Sequence, residues 1–158
     1  EYAGRKIRYV EQTERLGTGH AIHAARDILR DRFLVLMSDD FYSTESMRAS
    51  LEHPYAISTY KVPTQPGMHS VAQNESGYFT HLRGDHADPE TDINIGLYTL
   101  STDFFDYPLE QLENGEYSLP HTLAKIASFT PVKVLEADTW MQINTPEELA
   151  RAEEKLRA

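Results

Sequence analysis

Cysteine is absent from the 158-residue chain. Disulfides, thiolate nucleophiles, zinc–thiolate sites and iron–sulfur clusters are therefore excluded together. Basic charge is also scarce: 15 Lys and Arg stand against 25 Asp and Glu, giving a formal net charge of −10. A protein that lives on nucleic-acid phosphates or an anionic membrane needs a net basic face, so neither partner is expected. Local phosphate binding stays open, because backbone N–H groups and a divalent cation can supply it. No apolar run approaches the roughly 18 residues needed to span a bilayer. The opening Glu1-Tyr2-Ala3-Gly4-Arg5-Lys6 lacks the apolar core of a signal peptide. The cytoplasm is the expected compartment. Repeats, low-complexity tracts and dividing linkers are missing too, so residues 1–158 read as one domain with enough chain to bury a core.

What is present alternates between strand and helix patterns. Lys6–Val10 alternates polar and apolar residues and predicts a strand. Residues 18–30 carry Ala21, Ala25, Ile28 and Leu29 on one helical stripe. Arg32–Met37 is a short apolar run, as in a strand buried on both faces. Ser43 is placed to cap a helix ending near Leu51. Tyr55–Val62 predicts a strand, broken by Pro63–Gly67, and Asn74-Glu75-Ser76-Gly77 joins Ser70–Gln73 to Tyr78–Leu82 as a hairpin. A polar loop over Arg83–Asp92 leads to a strand at Ile93–Leu100. Residues 102–127 read as helical segments broken at Pro108 and near Gly115, and Pro131–Glu136 as a late strand. A last helix spans Pro146 to about Arg157, with Thr145 as N-cap, Pro146 at N1 and Glu148 closing a capping box. This order predicts an α/β fold with a partly parallel sheet.

Three segments carry candidate chemistry. Gln12 to Ala21 lies between a predicted strand and a helix. Gly17 and Gly19 flank Thr18, allowing close backbone approach to a ligand or merely shaping a tight turn. The Gln12 amide has the donors and acceptor to meet a nucleobase edge. Ser38-Asp39-Asp40 follows the buried strand, where open α/β sheets hold ligands; a carboxylate there suits Mg²⁺, or caps the next turn. Trp140 to Leu149 is a strand end feeding a capped helix.

Taken in order, these segments resemble the sugar-phosphate nucleotidylyltransferase family, and the resemblance covers nearly the whole chain. Tyr9–Gln12 through Leu16–Ala21 is similar to that family's base-recognition segment, especially of uridylyl and thymidylyl enzymes. Leu34–Asp40 resembles its strand ending in Gly-Asp, with Ser38 in place of the Gly. Asn94-Ile95-Gly96-Leu97-Tyr98 matches its Asn-x-Gly-x-Tyr strand, Gly115–Leu119 its Glu-Tyr-x-Leu segment, and Trp140–Leu149 its Trp-x-Asp-x-x-Thr-Pro-Glu-x-Leu ending. The resemblance implies an α/β fold with a Rossmann-like mixed, mostly parallel sheet flanked by helices, and transfer of a nucleotidyl group from a nucleoside triphosphate, UTP or dTTP favoured, to a sugar 1-phosphate, releasing pyrophosphate. It implies that Gln12, Gly17, Thr18 and Gly19 hold the nucleotide, and that Asn94, Gly96 and Glu116 hold the sugar. It gives Asp39 the catalytic Mg²⁺, with Gln142 as a weak second ligand.

The chain also departs from the family pattern. The family's opening strand and Gly-rich loop with Arg and Lys are not found, so the domain is expected to be partial. A strand edge left unpaired would make the isolated chain marginally folded, or self-associating as a homo-oligomer. The family's second metal-binding Asp falls on Gln142, and Leu82-Arg83-Gly84-Asp85 stands where Glu-Lys-Pro is common. Those changes support an alternative, a non-catalytic homologue that binds nucleotide-sugar or a partner protein. An unrelated α/β binding module is a third reading. His20 and His23, and the loop bearing Asp85, Asp88, Glu90 and Asp92, lack the spacing of a metal site and read as packed or solvated side chains.

Overall fold

The computed structural model describes residues 1–65, 69–84 and 88–157. Its elements run α1 (Thr18–Ala24), β1 (Arg32–Val35), β2 (Asp40–Tyr42), α2 (Thr44–Leu51), β3 (Ala56–Pro63), β4 (Ser70–Gln73), β5 (Phe79–Arg83) and β6 (Glu90–Ser101). A 3₁₀ turn (Thr102–Asp106) follows, then β7 (Glu110–Gln111), β8 (Tyr117–Ser118), α3 (Leu119–Ile126), β9 (Lys133–Glu136), β10 (Trp140–Gln142) and α4 (Pro146–Arg157).

The main sheet has the order β5-β4-β6-β3-β9, with β1 added against β6. The α/β class and the mixed sheet are as expected. The balance within the sheet differs from the mostly parallel expectation. Among the described strands β3–β9 is parallel, whereas β1–β6, β3–β6, β4–β5 and β4–β6 are antiparallel. The long β6 runs against each of its three partners, and the β4–β5 hairpin needs only a short turn, which antiparallel pairing allows.

Strand β6 is buried on both faces, and the two-residue period sorts its side chains. Tyr98 and Leu100 join the larger core with Ile57 of β3, Phe104 and Phe105, and Leu119, Leu123 and Ile126 of α3. Ile95 and Leu97 turn to a smaller core with Tyr42, Ala137, and the half-buried Met47 and Trp140. α3 buries Leu119, Thr122, Leu123 and Ile126, a helical stripe that begins at an N-cap, Ser118, whose hydroxyl accepts from His121 N. α2 starts at Ser43 as expected, its Oγ accepting from Ser46 N at 3.0 Å.

Some expectations change. Lys6–Val10 is exposed and forms no strand among the described residues; its alternation finds no ladder to join. α1 ends at Ala24, and the remaining stripe to Leu29 continues as turns with three-residue bonds such as Ile28 N to Ala25 O. Residues 102–127, expected as helical segments broken at Pro108 and near Gly115, hold the 3₁₀ turn and α3 with two short strands, β7 and β8, between them. Gly115, at φ +87°, makes the turn between β7 and β8. α4 carries the expected capping box: Glu148 N donates to Thr145 Oγ1 at 3.2 Å, and Glu148 Oε2 accepts from Thr145 N at 3.1 Å. Pro66 and Gly67 of the expected break, and Asp85 of the acidic loop, lie outside the described residues.

Candidate active site

Two adjoining clefts gather most of the candidate residues. The first, about 470 Å³, is lined by Gln12, Arg15, Gly17, Thr18, Glu116 and Tyr117 among others. The second, about 380 Å³, is lined by Asp40, Asn94, Gly96, Tyr98, Trp140 and Gln142 among others, and Thr18 and Ser118 line both.

The first cleft exists because α1 begins against β8 with almost no clearance. Gly17 sits at φ +91°, and a Cβ there would fall 2.7 Å from Tyr117 O. Gly19 is buried, with a hypothetical Cβ 3.2 Å from both Leu109 and Tyr117 O. Tyr117 N donates to Leu16 O at 2.7 Å, and Leu119 N donates to Thr18 Oγ1 at 3.2 Å, which ties the two segments together. Gln12 is half-buried, its Nε2 3.2 Å from Gly17 O and 3.0 Å from His20 Nδ1. Glu116, expected beside Asn94 and Gly96, instead lines this cleft with Gln12 and Gly17; it is exposed, and its Oε2 accepts from Asn114 Nδ2 at 3.2 Å.

The second cleft depends on a pairing that the sequence pattern did not show. β2 and β10 form an antiparallel ladder that sets Asp40 opposite Gln142 and Tyr42 opposite Trp140. Asp40 Oδ2 accepts from Trp140 Nε1 at 3.0 Å and lies 3.0 Å from the Tyr42 hydroxyl, whose proton is also directed at Ile95 O, 2.8 Å away. Burial, and next the Asp40 carboxylate, push the Tyr42 phenol well above its ordinary value, so it stays protonated as a donor. Asp40 is thus the carboxylate that lines the cleft. Asp39, its neighbour, is exposed, and its backbone carbonyl accepts from Ile143 N at 2.8 Å. The signal for Asp40 was the alternation Asp40-Phe41-Tyr42 facing Trp140-Met141-Gln142, too short to read as a ladder without the fold.

Asn94, paired with Thr59, borders a bulge in β6 that holds Gly96, where Ile95, Gly96 and Leu97 stand against one residue, Ser58, of β3. Asn94 Oδ1 accepts from Gly96 N at 3.2 Å, and its Nδ2 donates to the Tyr98 hydroxyl at 2.6 Å. Burial raises the Tyr98 phenol to about 12, against the lowering effect of Asn94. Arg83 ends β5 and pairs with Asp88 at 3.5 Å.

Mg²⁺ is content with one or two carboxylates, the rest of its shell coming from water and substrate phosphates. The second cleft offers one lining carboxylate, Asp40, with the Gln142 amide opposite it across the ladder, a donor set that fits Mg²⁺ where phosphate oxygens and water complete the shell. Among the described residues no group of three or more His, Cys, Asp or Glu could hold a metal ion together. His23 packs edge-on against Phe104 and Phe105, with ring centroids 5.7 and 5.2 Å away.

The mixed sheet that carries these clefts has the fold of solved sugar-phosphate nucleotidylyltransferases. The chain's particular likenesses are to bifunctional GlmU proteins and to solved sugar-nucleotide enzymes. The bifunctional protein GlmU of Nitratidesulfovibrio vulgaris strain DP4 is 31% identical over 185 residues, covering 99% of this chain and 39% of that protein. The chain therefore spans about two fifths of the length of the curated relatives it matches. HddC from Yersinia pseudotuberculosis superposes with a TM-score of 0.66 at 25% identity, covering 92% of this chain and 64% of its own. A UDP-glucose pyrophosphorylase complexed with UDP-glucose superposes with a TM-score of 0.70 at 16% identity, covering 95% and 65%. No family model matches the chain. Among the described residues no helix is long and apolar enough to cross a membrane.

Proposed function

We propose that residues 1–158 form one nucleotidylyltransferase-like unit that joins a nucleoside triphosphate, UTP or dTTP, to a sugar 1-phosphate. The observation that carries this reading is the adjacency of the clefts: Thr18 and Ser118 line both, so a nucleotide in the first and a sugar phosphate in the second would meet between them. An oxygen of the sugar phosphate attacks the α-phosphorus; the new P–O bond forms as the bond to the β-phosphate bridge breaks, and pyrophosphate leaves. The reaction needs no protein nucleophile, only alignment and charge neutralisation. Gln12 meets the base, with the Gly17–Gly19 backbone closing on it. Arg15 brings positive charge to the first cleft, Asn94 binds sugar hydroxyls in the second, and Glu116, on the first, accepts from hydroxyls of a sugar that reaches across the junction. Asp40 and Asp39 would hold Mg²⁺, which supplies charge stabilisation to the phosphates when bound.

The test is to incubate the full chain with Mg²⁺, each nucleoside triphosphate and either glucose 1-phosphate or N-acetylglucosamine 1-phosphate, and to follow pyrophosphate release. Turnover with UTP or dTTP that falls at least about a hundredfold in Asp40→Ala is the expected result. Turnover that survives in both Asp40→Ala and Asp39→Ala overturns the roles given to these carboxylates. A second reading, a nucleotide-sugar binder without turnover, is favoured by one observation: the neutral Gln142 stands opposite Asp40. Nucleotide-sugar binding without pyrophosphate release would decide for it.

A further inference from the structure

Gln12 faces its cleft with every donor already engaged. Its carboxamide nitrogen carries two N–H groups. One meets Gly17 O at 3.2 Å, and a carbonyl oxygen can only accept, so this contact fixes which end of the amide is nitrogen. The other meets His20 Nδ1 at 3.0 Å. An amide nitrogen offers no lone pair, so Nδ1 must be the unprotonated ring nitrogen and His20 must carry its proton on Nε2. The imidazole is stacked on Tyr117, with centroids 6.3 Å apart and planes 25° apart. Tyr117 is itself held by its backbone bond to Leu16 O. What remains of the Gln12 amide for a ligand is Oε1, an acceptor.

We propose that His20 is a positioning residue for base selection: by holding the second Nε2 proton it leaves Gln12 an acceptor only. This rests on the nucleotidyl-transfer reading given above. An acceptor-only amide selects a base with a ring N–H on its pairing edge. Uracil and thymine present N3–H to Oε1. Cytosine presents a lone pair at the same position, and two acceptors facing each other are repulsive; the site therefore rejects as well as attracts. Glycine at residue 17 is part of the same device, because it lets the carbonyl that takes the first N–H sit within reach of residue 12.

Two measurements on the full chain test it. The first needs no ligand: ¹⁵N-resolved NMR of the free chain should show His20 as the Nε2–H tautomer, and a proton on Nδ1 overturns the proposal. The second is titration with UTP and CTP in the presence of Mg²⁺. The unmodified chain should prefer UTP by about tenfold or more, the scale of one buried polar group left facing the wrong partner. His20→Phe frees an N–H of Gln12 and should bring the two affinities within about threefold. His20→Asn, whose Oδ1 can stand where Nδ1 stood, should restore the preference. A purely structural role would weaken both nucleotides equally, so an unchanged UTP-to-CTP ratio in His20→Phe overturns the inference alone. If the unmodified chain binds neither nucleotide, the nucleotidyl-transfer reading fails and this inference fails with it.

Discussion

A methyl group added at Gly17 would lie 2.7 Å from the Tyr117 carbonyl, and one added at Gly96 would lie 2.4 Å from Met37 Cγ. Both positions also have positive φ, +91° and +76°, so both substitutions strain the backbone. The neighbours differ in kind. Tyr117 O belongs to β8 and cannot move without breaking its ladder, whereas Met37 is a flexible side chain that can swing away. Gly17→Ala should therefore cost about 2–3 kcal/mol and remove the first cleft. Gly96→Ala should cost about 1–2 kcal/mol, part of it recovered when Met37→Ala is combined with it. Urea unfolding of the three variants checks the order; a Gly96→Ala loss as large as that of Gly17→Ala would contradict it. Glycines at 17, 19 and 96 were legible in the sequence as special positions. Which of them met backbone and which met a side chain was not.

At the scale of elements, α2 and the loop before β10 are tied through one carboxylate. Asp138 accepts from the hydroxyls of Ser43 and Ser46, and these bonds hold its carboxyl below its ordinary value. Ser43 is also the N-cap of α2, so one side chain stabilises a helix start and anchors the segment that delivers Trp140 and Gln142 to the second cleft. Ser43→Ala should lower stability by about 1 kcal/mol, the usual cost of a lost cap. Hydrogen exchange should quicken first at Ser46 and Met47 and in β10. Unchanged protection in β10 would show that the anchor does not hold it. The Ser43 cap and the Thr145–Glu148 capping box could be read locally, because capping uses neighbours within four residues. The β2–β10 ladder could not, since Asp40 and Trp140 are 100 residues apart and each strand has only three residues. Lys6–Val10 shows the converse: alternation makes a segment fit for a sheet, but a ladder needs a partner.

For the whole molecule, pH acts through His23, which α1 places against Phe104 and Phe105 at the edge of the larger core. Burial and then Arg26 hold its imidazole below the ordinary 6.5, and its Nε2 is buried without a hydrogen-bond partner among the described residues. The folded chain thus takes up this proton less readily than the unfolded one. The contribution to stability is complete above about pH 6.5 and declines as the pH falls through the lowered folded value. Thermal unfolding should show Tm dropping from pH 7 to pH 5, and His23→Leu should flatten that dependence without loss of stability at pH 7. An identical slope in the variant would remove His23 as the cause. Composition, periodicity and capping residues determined by themselves the α/β class, most element positions and the segments that carry the clefts. Their physical signals, hydrophobic period and short-range hydrogen bonds, are local. Only the tertiary structure decided that β6 runs against three partners, that Glu116 stands with Gln12, and that Asp40 lines the second cleft beside Asp39. Each of those outcomes depends on pairings between distant segments, and side-chain direction in a strand is set by the partner that fixes its register.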